Sequence, residues 1–227
     1  MSQLVFASIP HHSRSQPLIT LPSYSRYVAL KFVVAKLTGK NNEVKIHHHL
    51  AARSGTHPGS DRVLAPLDRF EVEGPNGKHD VLVFKVMGPQ LSDMYNNCPS
   101  IIRQAIKSLA HQIALGISFL HDCGVVHAGQ STVLCSVNRS TAHTCNLDLH
   151  SGNIAFEIPD LDGKSEEDAM RLVGLPKCVP VLIRNRAYQT DSLPRYFVFS
   201  RNLVKRVKRD ALRVKIIDLG EGSFQWS

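Results

Sequence analysis

Apolar positions along the chain change their spacing several times, and each change marks an element. From Tyr27 to Lys36 β-branched and aromatic residues follow one another between polar flanks, which predicts a strand. Asn41 to Arg53 predicts a helix, with Asn41 or Asn42 as N-cap and Gly55 beyond its end. Val63 to Val72 and Asp80 to Met87 are two further apolar runs on either side of Gly74-Pro75-Asn76-Gly77, a turn signal that predicts a hairpin. The clearest helix runs from Ser100 to about Cys123. There Ile102, Ile106, Leu109, Ile113, Ile117 and Leu120 recur at steps of three and four, and Gly124 follows as a stop. Asn153 to Ile158 predicts a short strand. Ser165, with Asp168 three residues on, opens a short acidic helix ending near Gly174, and Val214 to Leu219 is a last buried strand running into Gly220.

Two stretches carry no sustained period. Residues 1 to 26, with Pro10, Pro17, Pro22 and many Ser and His, are expected to form an irregular arm, and residues 129 to 147 show neither helical nor alternating spacing. No internal repeat is present. A chain of 227 residues that is 43% hydrophobic can bury a sizeable core, and one domain with two lobes is the expected organisation. The apolar runs fall well short of the roughly 20 residues that cross a bilayer, and the N-terminus lacks a signal-peptide core. A soluble, intracellular protein of the cytoplasm or nucleus, without a membrane partner, is therefore expected.

Five cysteines, odd in number and irregularly spaced, argue for reduced thiols over a disulfide framework or a zinc site. The net charge of +8 suits acidic ligands such as nucleotide phosphates. Much of it is local, in Arg201, Lys205, Arg206, Lys208, Arg209 and Arg213, which reads as a solvated basic surface, so no nucleic-acid partner is expected. The triplet His47-His48-His49 cannot ligate one ion, because neighbouring helical residues point about 100° apart.

Phosphoryl transfer needs positive charge on the phosphates, a metal held by carboxylate or amide oxygens, and a group that orients or deprotonates the attacking hydroxyl. Lys31 lies inside an apolar strand, where an uncompensated ammonium is costly, and Glu43, on the next helix, is the nearest following acidic residue. Asp148 and Asn153 stand five apart before a strand. Asp218-Leu219-Gly220 follows another.

Val28-Ala29-Leu30-Lys31 resembles the V-A-I-K motif of eukaryotic protein kinases. Asp148 to Asn153 resembles their D-L-x-x-x-N catalytic loop, and Asp218 to Gly220 resembles D-F-G with Leu for Phe, all in the family's order. Leu82 to Pro89 is similar to the linker between the lobes of SR-protein kinases, and the Leu in the D-L-G position is similar to that group. The resemblance covers about residues 27 to 128 and 148 to 223. It implies an α+β, protein-kinase-like two-lobed fold: an N-lobe sheet with one helix over 27–88, and a partial, incomplete helical C-lobe over 89–227 with a family-type spacer at 159–212. It also implies ATP and Mg2+ as cofactors and serine/threonine phosphorylation of proteins with Arg/Ser-rich segments. Lys31 would hold the α- and β-phosphates with Glu43 orienting it, Asp148 would take the substrate hydroxyl's proton, and Asn153 and Asp218 would bind magnesium. Ala29 would pack on adenine and Phe84 would close the back of the pocket. The backbone of Lys85 and Met87 would hydrogen-bond the base.

The chain departs from that pattern. No glycine lies between Pro10 and Tyr27, so the glycine-rich phosphate lid is missing. Residues 129 to 147 separate His127-Ala128 from Asp148, where the family runs on directly, and an intron read through into protein would produce such an insert. The sequence stops at Ser227, shortly after Asp218, as a truncated and interrupted kinase would. These departures leave open a catalytically inactive pseudokinase that acts by binding. The D-L-H-x-G-N form of Asp148 to Asn153 also resembles small-molecule phosphotransferases of the aminoglycoside and choline type.

Overall fold

The computed structural model describes residues 3–10, 25–53, 55, 57–127, 132–133, 145–146, 149–159, 161–174, 177–182, 195–199, 203–208 and 210–224. In chain order the elements are β1 (Gln3–Pro10), β2 (Ser25–Phe32), α1 (Asn42–Ala51), β3 (Pro66–Gly74), β4 (Gly77–Lys85), α2 (Leu91–Asn97), α3 (Pro99–Asp122), β5 (Val125–Val126), β6 (Thr132–Val133), β7 (Cys145–Asn146), β8 (Ile154–Phe156), α4 (Glu166–Val173), β9 (Lys177–Pro180), β10 (Tyr196–Phe199), β11 (Val214–Ile216) and β12 (Ser223–Phe224). The class is α+β, as the sequence led us to expect. The chain divides into two compact units, one of Met1–Thr38, Leu67–Val86 and Asp160–Arg206, the other of Gly39–Pro66, Met87–Pro159 and Val207–Ser227.

The first unit is built on a four-stranded sheet in the order β1-β2-β4-β3. β1 runs antiparallel to β2 from Gln3 opposite Phe32 to Pro10 opposite Ser25. Residues 3–10 therefore form a strand where an irregular arm was expected. The Pro, Ser and His that argued against structure are concentrated after Ile9, and the run Leu4-Val5-Phe6 before them is strand-forming. Residues 1–2 and 11–24 of the expected arm lie outside the described residues, and its last two residues, Ser25 and Arg26, begin β2.

β2 also pairs antiparallel with β4, setting Ala29 opposite Phe84 and Lys31 opposite Leu82. Directly opposed residues project from one face of a sheet and successive residues alternate. Val28, Leu30, Phe32, Val81 and Val83 thus share a face and form an apolar cluster. Ala29, Lys31, Leu82 and Phe84 share the other. The β3–β4 turn is closed by Gly77 at φ 106°, a backbone conformation that favours glycine. Asp80, wholly buried, accepts from Arg69 Nε at 3.0 Å across the hairpin, and its backbone carbonyl accepts from Val33 N–H at 2.8 Å.

The expected acidic helix is present as α4, with Ser165 Oγ accepting from Asp168 N–H at 3.1 Å and Gly174 ending it at φ 88°. It is attached to β2 through Tyr27, whose N–H donates to Asp162 Oδ1 and whose hydroxyl donates to the Lys164 carbonyl, both at 3.1 Å. The spacer also holds the antiparallel pair β9–β10, whose described side chains are largely exposed.

The second unit packs α1 and α3 around Ile46, Leu50, Val63, Phe119, Leu120, Cys123, Val125, Ile216 and Leu219. α3 spans the stripe read from the sequence, and Asn41 caps α1, its side chain accepting from Glu43 N–H at 2.9 Å. Val63, expected in the hairpin, instead forms a parallel bridge with Ile216, because the apolar run is split at Pro66 between the two units. Buried Gln112 ties α3 to its neighbours: its Oε1 accepts from Val214 N–H at 3.0 Å and from Arg62 at 3.1 Å, and its Nε2 donates to the Leu212 carbonyl at 2.9 Å. Gly59 meets α3 so closely that an added Cβ would stand 1.9 Å from the Leu115 carbonyl oxygen. Within 129–147, β6 and β7 pair antiparallel, and the remainder lies outside the described residues. Among the described residues no helix is long and apolar enough to cross a membrane.

Candidate functional site

In the first unit, three of the residues expected to hold a nucleotide lie on one sheet face. Ala29, Lys31 and Phe84 are 5%, 8% and 7% exposed. The strand register supplies this geometry, since a one-residue slip of β2 against β4 would move Lys31 into the apolar cluster of Val28 and Val83. Lys85 sits on the opposite face from Phe84 and is exposed. Its side chain is thereby removed from this face, leaving only its backbone for the role expected of it.

In the second unit, β11 runs antiparallel to β8 with Ile216 opposite Ile154. The ladder extends one step further, where Ile217 N–H donates to the Asn153 carbonyl at 2.8 Å. Asn153, buried, and Asp218, exposed, therefore stand at neighbouring positions beyond the ends of two paired strands, although 64 residues separate them in sequence. Asp218 adopts φ 61° and is the positive-φ residue other than glycine among the described residues. Asp tolerates the left-handed region better than most residues, and a non-glycine residue held there is characteristic of sites where backbone shape serves a role. Its Oδ1 accepts from Gly220 N–H at 3.3 Å, which steadies the turn.

Two neighbours fix this turn. His127 is buried, and its Nε2 lies 3.1 Å from the Ile217 carbonyl, so that nitrogen carries the proton and donates. Its Nδ1 is buried with no hydrogen-bond partner among the described residues. Leu219, 1% exposed, inserts into the same apolar cluster as Ile46 of α1. The turn bearing Asp218 and the helix bearing Glu43 are thus packed on one core. Gly222 permits this approach, as an added Cβ would meet Ile46 Cδ1 at 2.7 Å. Glu43 itself is buried in the first turn of α1, where the helix dipole favours negative charge.

The segment that follows β4 is held against β8: Gly88 N–H donates to the Phe156 carbonyl at 2.7 Å, and Phe156 N–H donates to the Pro89 carbonyl at 3.0 Å. Met87 at its start is half-buried. Asp148 lies outside the described residues. His150, two residues on, accepts from Gly152 N–H through Nδ1 at 2.9 Å, a local turn that presents Asn153 to the ladder.

An amide oxygen and a carboxylate suit a hard cation such as Mg2+, which takes few protein ligands and keeps water or phosphate for the rest. Among the described residues no group of three or more His, Cys, Asp and Glu could hold a metal ion. Cys98, Cys123 and Cys178 are free thiols. The histidine triplet divides as expected for adjacent helical positions, with His47 buried, His48 exposed and His49 half-buried.

No protein-family model matches the chain. Among curated proteins, a serine/threonine protein kinase of Aspergillus fumigatus is 29% identical over 109 residues, which are 47% of this chain and 28% of that protein. The serine/threonine-protein kinase SRPK of Physarum polycephalum is 33% identical over 106 residues, 45% of this chain and 25% of that protein. The chain thus spans about a quarter of the length of these relatives. A crystal structure of a kinase domain superimposes with a TM-score of 0.45 at 17% identity, covering 89% of this chain and 45% of that one.

Proposed function

Because the curated proteins it resembles are serine/threonine protein kinases, the SRPK of Physarum polycephalum among them, we propose that this chain binds Mg2+-ATP and transfers its γ-phosphoryl group to serine or threonine of protein substrates. The observation that carries the reading is the hydrogen bond from Ile217 N–H to the Asn153 carbonyl, which brings the Asn of one motif beside the Asp of another. The sheet face bearing Ala29, Lys31 and Phe84 supports it independently.

In this reading Lys31 neutralises the α- and β-phosphates, and Ala29 and Phe84 supply the apolar surface against the base. The backbone of Lys85 and Met87 offers hydrogen bonds to the base edge. Asn153 and Asp218 hold Mg2+, which when bound offsets charge on the phosphate oxygens. Asp148 accepts the proton of the acceptor hydroxyl, and Glu43 is the carboxylate that the resemblance pairs with Lys31. Arg/Ser-rich protein segments are the acceptor class by the same resemblance.

A second reading, an inactive chain that binds nucleotide or a protein partner, is favoured by two features of the sequence: no glycine precedes Lys31, and residues 129–147 separate His127-Ala128 from Asp148. Transfer from γ-labelled ATP to an Arg/Ser-rich peptide, a neutral serine peptide and an aminoglycoside separates the cases. Label on a peptide that disappears in Asp148→Ala supports the kinase. Label on the aminoglycoside alone supports a small-molecule phosphotransferase. ATP binding without transfer leaves the binding role, and no binding at all refutes the nucleotide site.

A further inference from the structure

Helix α1 buries four side chains, Glu43, Ile46, His47 and Leu50, which occupy the i, i+3, i+4 and i+7 positions of one helical face. Ile46 and Leu50 join the apolar cluster around Leu219. Half of the stripe is therefore apolar, as a core-facing helix requires, and half is ionisable. A carboxylate in such surroundings is costly unless compensated. The helix itself supplies compensation. Glu43 lies in the first turn, and its N–H is capped by Asn41. One turn on, His47 Nε2 stands 4.0 Å from Glu43 Oε1, the two side chains being 5% and 2% exposed.

The other histidines of the triplet are oriented elsewhere. His48 is exposed, whereas His49 Nε2 lies 2.8 Å from the Cys123 carbonyl and its ring meets Phe224 edge-on with centroids 5.0 Å apart. Only His47 of the three faces Glu43 on the shared stripe. At 4.0 Å the link is longer than a hydrogen bond, so the imidazole acts by filling the space beside the carboxylate, and adds a charge interaction only when it is protonated. An apolar side chain at 47 would complete the stripe without any desolvation cost.

We infer that His47 is a positioning residue for Glu43, fixing the orientation of the carboxylate from within α1. The inference deepens the reading of Glu43 as part of the nucleotide site and rests on it for its functional consequence. His47 acts through Glu43.

The test has two readouts on the full chain, with His47→Leu, His47→Gln, Glu43→Gln and the double variant His47→Leu/Glu43→Gln. The first is thermal unfolding without nucleotide. The shift caused by His47→Leu should differ by about 2 °C or more between the unaltered background and the Glu43→Gln background, the size a coupled neighbour pair gives in a chain of this length. Equal shifts on both overturn the pairing. The second is Mg2+-ATP titration. His47→Leu should weaken binding about fivefold to tenfold, His47→Gln should recover much of that loss, and His47→Leu should add nothing in the Glu43→Gln background. Unchanged affinity in His47→Leu, beside an unaltered chain that binds, overturns the positioning role. If the unaltered chain does not bind Mg2+-ATP, the proposed function fails and the functional role of His47 falls with it, while the thermal cycle still decides the pairing.

Discussion

Ile217 and Asn153, joined by a 2.8 Å backbone hydrogen bond, place two motifs that are far apart in sequence on adjacent positions of one ladder. Ile217 is also gripped from its other side, its carbonyl accepting from His127 Nε2 at 3.1 Å. Asp218 follows directly, in a turn set by Gly220 and anchored by Leu219. Asn153→Ala and Asp218→Ala should therefore each weaken ATP binding in the presence of Mg2+, by about tenfold or more, and change it little in EDTA. Titrations with and without the metal check this, and an equal loss in both would assign the residues to folding.

Leu219 is 1% exposed and shares its cluster with Ile46, Leu50 and Leu120. Leu219→Ala should lower stability by about 2–5 kcal/mol, the range for buried leucines that leave a cavity. Chemical denaturation reads the loss directly. Leu219→Met, which conserves volume, should cost less than about 1.5 kcal/mol.

Gly59 and Gln112 join separate parts of the second unit to α3. Gly59→Ala places a methyl group against the Leu115 carbonyl, at a distance no relaxation of a side chain can relieve, and should cost about 3 kcal/mol or more. Gln112→Leu keeps the volume but strands Val214 N–H and the Leu212 carbonyl, about 1–3 kcal/mol for each group left unpaired. Amide exchange should then rise first at Val214, whose N–H loses its acceptor.

Asp61 accepts from Lys215 Nζ at 2.9 Å and from Arg213 at 2.7 Å. Partial burial pushes its carboxyl up, but the Lys215 hydrogen bond and the charges of Lys215, Arg213 and Arg62 outweigh this and hold it below the usual range. A lowered folded-state value means that this contribution is complete above the ordinary carboxylate range and is lost as pH falls through the lowered one. Asp61→Asn should remove that part of the acid-side slope of stability against pH. Because Asp61 is 57% exposed, the effect at neutral pH should stay within about 1 kcal/mol. Thermal unfolding across the acid range, with and without the substitution, makes the comparison.

The helices α1, α3 and α4 were legible because each carries a local signal: a capping Asn41 or Ser165, or a stripe at steps of three and four. β1 was hidden by the Pro- and His-rich residues that follow it. β9 and β10 were hidden because strands exposed on both faces show no apolar alternation. In the run from Val63 nothing local says that Pro66 parts two units. For the candidate site, residue types and their order were legible, and the shared face of Ala29, Lys31 and Phe84 follows from the strand register. The grip of His127 on Ile217 was not, since a ring nitrogen meeting a carbonyl 90 residues away leaves no trace in local spacing. The packing of Leu219 against Ile46 emerges only from the tertiary core.

The most direct test of the account is calorimetric titration of the 227-residue chain with Mg2+-ATP beside Lys31→Ala. Saturable binding that falls at least about tenfold in the variant, with thermal unfolding unchanged, is the result expected if the sheet face bearing Lys31 holds the phosphates. No binding by the unaltered chain, or equal binding by both, would contradict it.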